Sequence, residues 1–164
     1  MPITLFRIDE RLIHGQVAIG WANQLRPDRY VVVDDDLAKS SWEQDLYRLG
    51  AGGLEANFVS CAEAGSRLAE WREAPERTIL LTRDVATMRR LAEGGALAGE
   101  RVVVGGVHHG PGREEALTYV HLTAEEMGDL EAIAAAGIDV FARDLPDAPR
   151  VDLNLLKRRW NSSS

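Results

Sequence analysis

The sequence predicts an α/β fold: an open, mainly parallel sheet with helices on both faces. Strand and helix signals alternate along the chain, the pattern that builds parallel sheets through crossover helices. The run Tyr30, Val31, Val32, Val33 is apolar without alternation, as expected of a strand covered on both sides. Several helical stretches open on a capping residue and stop at glycine, so their limits are marked locally.

The first strand is expected at Ile3–Ile8, followed by a helix over residues 16–25 in which Val17, Trp21 and Leu25 recur on one face. Pro27 marks the turn into the second strand, residues 30–33, which ends in Asp34, Asp35 and Asp36. Trp42, Leu46 and Leu49 keep helical spacing, predicting a helix over residues 39–49 that the loop Gly50, Ala51, Gly52, Gly53 ends. Asn57, Phe58 and Val59 give the third strand, and Ser60 with Glu63 reads as a capping box for a helix to Trp71. Residues 78–81 form the fourth strand. Thr82 then caps a helix over residues 84–93, which Gly94 and Gly95 stop. Arg101–Val104 is the fifth strand, and a glycine-rich loop follows to Gly112.

A short edge strand is expected over residues 117–122. Thr123 and Glu126 make a second capping box for a helix to Ala136, with Gly137 at its C-terminal cap. Residues 138–142 give the last strand and residues 152–160 a terminal helix, and residues 161–164 are expected to be a disordered tail. Neither a linker nor an internal repeat divides the chain, so residues 1–160 read as a single domain.

With 164 residues, 45% hydrophobic and 27% charged, the chain has the composition of a globular domain large enough to bury a core. Its net charge of -7 argues against a general binder of nucleic acid or anionic membrane. Cys61 is alone and forms no internal disulfide, which fits a reducing compartment. Without a spanning apolar run or a signal-peptide pattern, the expected location is cytoplasmic, with membranes met only through partners.

Chemistry concentrates near the amino terminus, in Arg7, Ile8, Asp9, Glu10, Arg11, Leu12, Ile13, His14, Gly15, Gln16, Val17. This stretch leaves the first strand and enters the first helix, so it lies at the carboxyl end of a strand, where open α/β sheets bind ligands. His14 stands just ahead of the helix start, where unpaired N–H groups and the helix dipole favour an anion. A phosphoryl group on His14 suits that position. An imidazole that attacks phosphorus must be neutral, a state that a nearby cation favours, and Arg7 or Arg11 would supply it. The same guanidinium then binds the phosphoryl oxygens. Asp9 would orient the ring by accepting its other N–H. Gly15 and Gln16 open the helix beside the phosphoryl group, with no side chain on Gly15 to obstruct it. Arg83, after the fourth strand, is a further cation for the same group. Against all this stands the ordinary reading of a lone loop histidine as a solvated residue.

The run RIDERLIHGQV resembles the active-site segment of mannose/sorbose-type (mannose-fructose-sorbose family) IIB components of bacterial sugar phosphotransferase systems. Weaker similarity extends through VVVDD, ILLTRDV, VVVGGVHHG and TAEEMGDLEAIAAAGIDVFARDLP. The chain departs at residues 50–53, where family members more often carry a proline-containing loop. The resemblance implies about seven strands in the sheet. It also implies that His14 is phosphorylated by a IIA component, on Nδ1, and passes the group to a sugar entering through membrane IIC/IID components. No metal or other cofactor is called for. The number of subunits is left open, a homo-oligomer among the alternatives.

Other features have plainer readings. Asp34, Asp35 and Asp36 suggest the phosphate-accepting cluster of a receiver domain, but the strand-end lysine of that site is missing, and capping explains them. His108, His109 and His121 lack the spacing of a metal ligand set. The glycine loop around His108 lacks the Gly-Lys-Ser/Thr ending of a nucleotide-binding loop, though it would still border the His14 site. The leading hypothesis is therefore a phosphohistidine carrier acting as a sugar phosphotransferase. The alternative is a regulatory phosphoprotein of the same fold that phosphorylates no sugar.

Overall fold

The computed structural model describes residues 2–163, without the side chains of Gln16 and Val17. The chain runs β1 (Ile3–Ile8), α1 (Gly15–Leu25), β2 (Arg29–Val33), α2 (Ser41–Leu49), β3 (Glu55–Val59), α3 (Cys61–Glu73), β4 (Thr78–Thr82) and α4 (Val85–Ala92). It continues through β5 (Arg101–Val104), β6 (Glu114–Leu117), β7 (Val120–Leu122), α5 (Ala124–Ala135), β8 (Asp139–Ala142), β9 (Val151–Asp152) and α6 (Leu153–Ser163). Seven strands form one sheet in the order β3-β2-β4-β1-β5-β8-β9. All its pairings are parallel except β8 with β9, so the expected α/β class and strand number hold.

Apolar side chains on both faces explain the unbroken hydrophobic runs. Phe6, Ile8, Val31, Val33, Val102, Val104 and Val140 face a core shared with α3 to α6. Leu5, Tyr30, Val32, Ile79, Leu81, Val103 and Phe141 face the opposite core, shared with α1 and α2. Alternate residues thus enter different cores, as the period of two requires.

Several local expectations need correction. Residues 117–122 are not one strand: β6 and β7 form a separate antiparallel hairpin in which Leu117 faces Val120. Its tip, Thr118 and Tyr119, contains none of the usual turn residues, which hid the reversal. The segment before α2 is a 3-10 turn, Leu37–Lys39, broken from the helix by an extended Ser40. α4 is capped by Asp84, which accepts from Thr87 N at 2.8 Å, while the Thr82 hydroxyl donates to the Asp84 carbonyl. Ser60 caps α3 by accepting from Glu63 N, but the Glu63 carboxylate turns to Arg67, so the reciprocal half of that box is missing. The box of Thr123 and Glu126 is complete. Finally, α6 continues through residues 161–163, placed in the expected tail, with Ser162 and Ser163 donating to Arg159 O. Ser164 lies outside the described residues.

Candidate active site

β1 occupies the centre of the sheet between β4 and β5, so the segments that leave adjacent strands gather at its carboxyl edge. Arg7 belongs to β1 and points to the α1 side, where its guanidinium lies 5.0 Å from the Trp21 ring. It is almost fully buried and nearly saturated. Nη2 donates to Asp9 Oδ2 (3.0 Å) and to Asp144 O (2.8 Å), and Nη1 donates to Arg143 O (2.8 Å). Asp9 is wholly buried and serves two arginines. Its Oδ1 accepts from both the backbone N and the Nε of Arg11, and its Oδ2 from Arg7 and Arg11 Nη2. Burial alone would raise the Asp9 carboxyl, but the Arg11 hydrogen bonds and the two guanidinium charges hold it below its ordinary value.

These contacts revise two expectations. Both Asp9 oxygens are taken by guanidinium groups, so Asp9 does not orient the His14 ring. Arg7, being buried, is the internal counter-charge of Asp9 and does not reach a surface phosphoryl group. Arg11 is different. Its side chain is 25% exposed, its Nε and Nη2 bind Asp9 and Asp144, and its Nη1 has no hydrogen-bond partner among the described residues.

Two glycines after β5 make this arrangement fit. A Cβ on Gly105 would collide with Arg7 and Asp9, and one on Gly106 would stand 2.7 Å from Arg11 Nε. The glycine loop therefore backs the arginine pair. Beyond it, Glu10 accepts from Arg113 Nη1 at 3.1 Å and from the His108 backbone N–H. Arg113 is itself held by both oxygens of Glu126, inside the α5 capping box.

The chain between Arg11 and α1 is bent so that its apolar residues turn inward. Leu12 adopts a left-handed φ of 52°, uncommon for a branched side chain, yet Leu12 and Ile13 are both buried. His14 comes out on the surface as the extended N-cap of α1, its side chain making no cap bond, and Gly15 follows, exposed, at φ 57°. His14 and Gly15 border an open groove of about 480 Å³ whose far wall is Trp42, Leu46 and Leu49 of α2. A slightly larger cavity of about 510 Å³, under Trp21 and over Thr4, Val103 and Phe141, contains no residue of the His14 loop.

The remaining expected site residues fall elsewhere. Arg83 pairs with Asp34, Nε to Oδ2 at 3.7 Å, because β4 and β2 are neighbours and both residues follow their strands. Asp34 also accepts from Leu37 N, and Asp35 from Cys61 N, so two acids of the aspartate run cap local structure. The Gln16 side chain lies outside the described residues. His109 and His121 meet ring edge to ring face at 5.7 Å, and no acidic, histidine or cysteine cluster able to hold a metal occurs among the described residues. Sequence reasoning missed Asp144 and Arg113. Asp144 had one signal, its place just beyond a strand end on the ligand side of the sheet.

An open, mainly parallel α/β sheet with an exposed histidine in the loop after its central strand is the class of protein that the amino-terminal motif suggests. The family described as "PTS system sorbose subfamily IIB component" matches residues 3–163, and the chain belongs to it. It is 33% identical over 147 residues to the N-acetylgalactosamine-specific phosphotransferase enzyme IIB component 1 of Escherichia coli (strain K12), covering 88% of this chain and 91% of that protein. It is 30% identical over 154 residues to the mannose-specific EIIAB component of the same strain, covering 93% of this chain but only 47% of that longer protein. The crystal structure of the IIBSor domain of the sorbose permease from Klebsiella pneumoniae superposes with a TM-score of 0.87 at 25% identity, covering 96% of this chain and 98% of that one.

The protein is thus a phosphoryl-transferring IIB component of a sugar phosphotransferase system, a kind of protein that works with IIA and membrane IIC/IID components. The regulatory alternative gains no support from these matches. Among the described residues, no helix is long and apolar enough to cross a membrane.

Proposed function

We propose that His14 carries the phosphoryl group, taking it from a phosphohistidine of a IIA protein and giving it to a sugar that enters through a IIC/IID permease. The protein then acts as a protein-phosphohistidine sugar phosphotransferase, located in the cytoplasm and drawn to the membrane by its partners. The observation that carries this reading is the position of His14: exposed, at the N-cap of α1, with a ring that makes no cap bond. The first turn of α1 favours an anion there. Arg11 supplies the cation through its Nη1 edge, which has no hydrogen-bond partner among the described residues, and Gly15 lets the phosphoryl oxygens approach the backbone. A donor that reaches His14 stands over the groove and meets Trp42 and Leu46, which excludes water from the transfer.

The test is incubation with phosphorylated IIA donor, followed by phosphorus NMR and acid treatment. Acid-labile phosphate is expected on the wild type and none on His14→Ala, whose fold is kept because the side chain is exposed and makes no cap bond. Phosphate retained by that variant would rule His14 out. Sugar phosphorylation by membranes bearing IIC/IID then tests the second half of the relay.

A further inference from the structure

Asp144 follows β8 and is the point where both arginines and Trp21 meet. Its Oδ1 accepts from Arg11 Nη2 at 2.9 Å, and its backbone O accepts from Arg7 Nη2 at 2.8 Å and from Trp21 Nε1 at 3.0 Å. The carboxylate is 33% exposed and contributes nothing to the apolar core. In charge, Arg7 and Arg11 are balanced by Asp9 and Asp144. Arg11 is therefore shared between a buried carboxylate and a half-exposed one, with its Nη1 edge left over.

We propose that Asp144 is a positioning residue which, by sharing the Arg11 guanidinium with Asp9, sets how tightly the site holds a phosphoryl group on His14. The inference rests on the reading of His14 as the carrier. A carrier must release what it accepts, so tight binding of the phosphorylated state slows onward transfer. In the transfer, the lone pair of a His14 ring nitrogen forms the new N–P bond as the donor's N–P bond breaks and its electron pair returns to the donor ring. Each ring keeps the proton on its other nitrogen, so no co-reactant is consumed. The phosphoryl dianion then competes with Asp144 for Arg11. Asp9 does not give way in this competition, because it is wholly buried and no water would replace the Arg11 N–H groups on its oxygens. Asp144 can, because water reaches it.

The experiment is the equilibrium distribution of phosphate between phosphorylated IIA and this protein, with the rate of return transfer to unphosphorylated IIA. Asp144→Asn keeps an oxygen acceptor and removes the charge. It is expected to shift the equilibrium toward phosphorylated His14 by about two- to fivefold, the range of a partly screened ion pair, and to slow return transfer by a similar factor. Asp144→Ser removes the charge with a different shape and moves both readouts the same way, whereas Asp144→Glu retains the charge and stays near the wild type. A purely structural role predicts the opposite for Asp144→Asn, namely weaker acceptance and shorter retention. That result, or an unchanged equilibrium in both charge-removing variants, overturns the inference while leaving His14 as the carrier. A wild type that accepts no phosphate overturns the carrier reading and this inference with it.

Discussion

Gly50 stands against Ile13 so closely that a Cβ on it would lie 2.6 Å from the Ile13 carbonyl oxygen. The contact joins the end of α2 to the loop that presents His14, and it sets one wall of the groove at a fixed distance from the other.

Gly50→Ala is expected to push α2 away from Ile13, since the obstructing atom is backbone and cannot rotate aside. The cost should be about 1–3 kcal/mol, seen as a fall in thermal midpoint of several degrees, with slower phosphoryl acceptance. Gly128→Ala is the control. It lies inside α5 with nothing within 4 Å of the new Cβ, and should stabilise by about 0.5–1 kcal/mol. Equal effects of the two substitutions on transfer would show that the Gly50 contact does not govern the groove.

Gly105 and Gly106 separate stability from chemistry. A Cβ on Gly105 meets the buried Arg7 and Asp9, so Gly105→Ala should break that pair and cost about 3 kcal/mol or more, measured by urea unfolding. A Cβ on Gly106 meets Arg11, whose side chain has solvent to move into. Gly106→Ala should therefore unfold close to wild type yet lose transfer rate. A Gly106→Ala protein with full transfer activity would remove Arg11 from the chemistry.

The architecture was legible because the central strands are apolar on both faces and the starts of α3, α4 and α5 carry local caps; Ser60 and Thr123 act within three residues of their partners. What the sequence concealed depends on distant contacts or on choices between neighbours. Thr82 and Asp84 are both good caps, and only the backbone path decides for Asp84. His14 was singled out by its motif, and the alternation of Arg7, Asp9 and Arg11 was visible as spacing. Their division of labour was not, because it follows from burial: Arg7 is 1% exposed and Arg11 is not. Asp144 reaches Arg11 across 133 positions, which no local pattern can display.

Asp9 should carry stability with a definite pH window. Its carboxyl is held below the ordinary 3.8, so its contribution is fully present above that value and is lost only as pH falls through the lower folded value. Asp9→Asn removes the counter-charge of the buried Arg7 and should cost about 3–5 kcal/mol at neutral pH. The gap between wild type and variant should stay level from pH 7 to about 4 and narrow in stronger acid, as followed by urea unfolding at each pH. A gap that closes already between pH 7 and 5 would mean that Asp9 is not held in its charged form.

Trp42, Leu46, Leu49 and Ile19 are the large apolar side chains left exposed among the described residues, and all four lie on α1 and α2. Three of them wall the groove that His14 borders. A donor protein delivering phosphate to His14 has to cover them, and burying an exposed tryptophan gives an interface much of its binding energy. Trp42→Ala should accordingly raise the KM for phosphorylated IIA by about tenfold or more, with kcat little changed, because the side chain takes no part in the transfer itself. Stability should shift by no more than about 0.5 kcal/mol, since the side chain is 67% exposed. Leu46→Asp should act in the same direction by placing an unpaired charge in the covered surface. If both variants keep the wild-type KM, the donor approaches His14 from the α1 side instead, and Ile19→Asp becomes the substitution that must raise it.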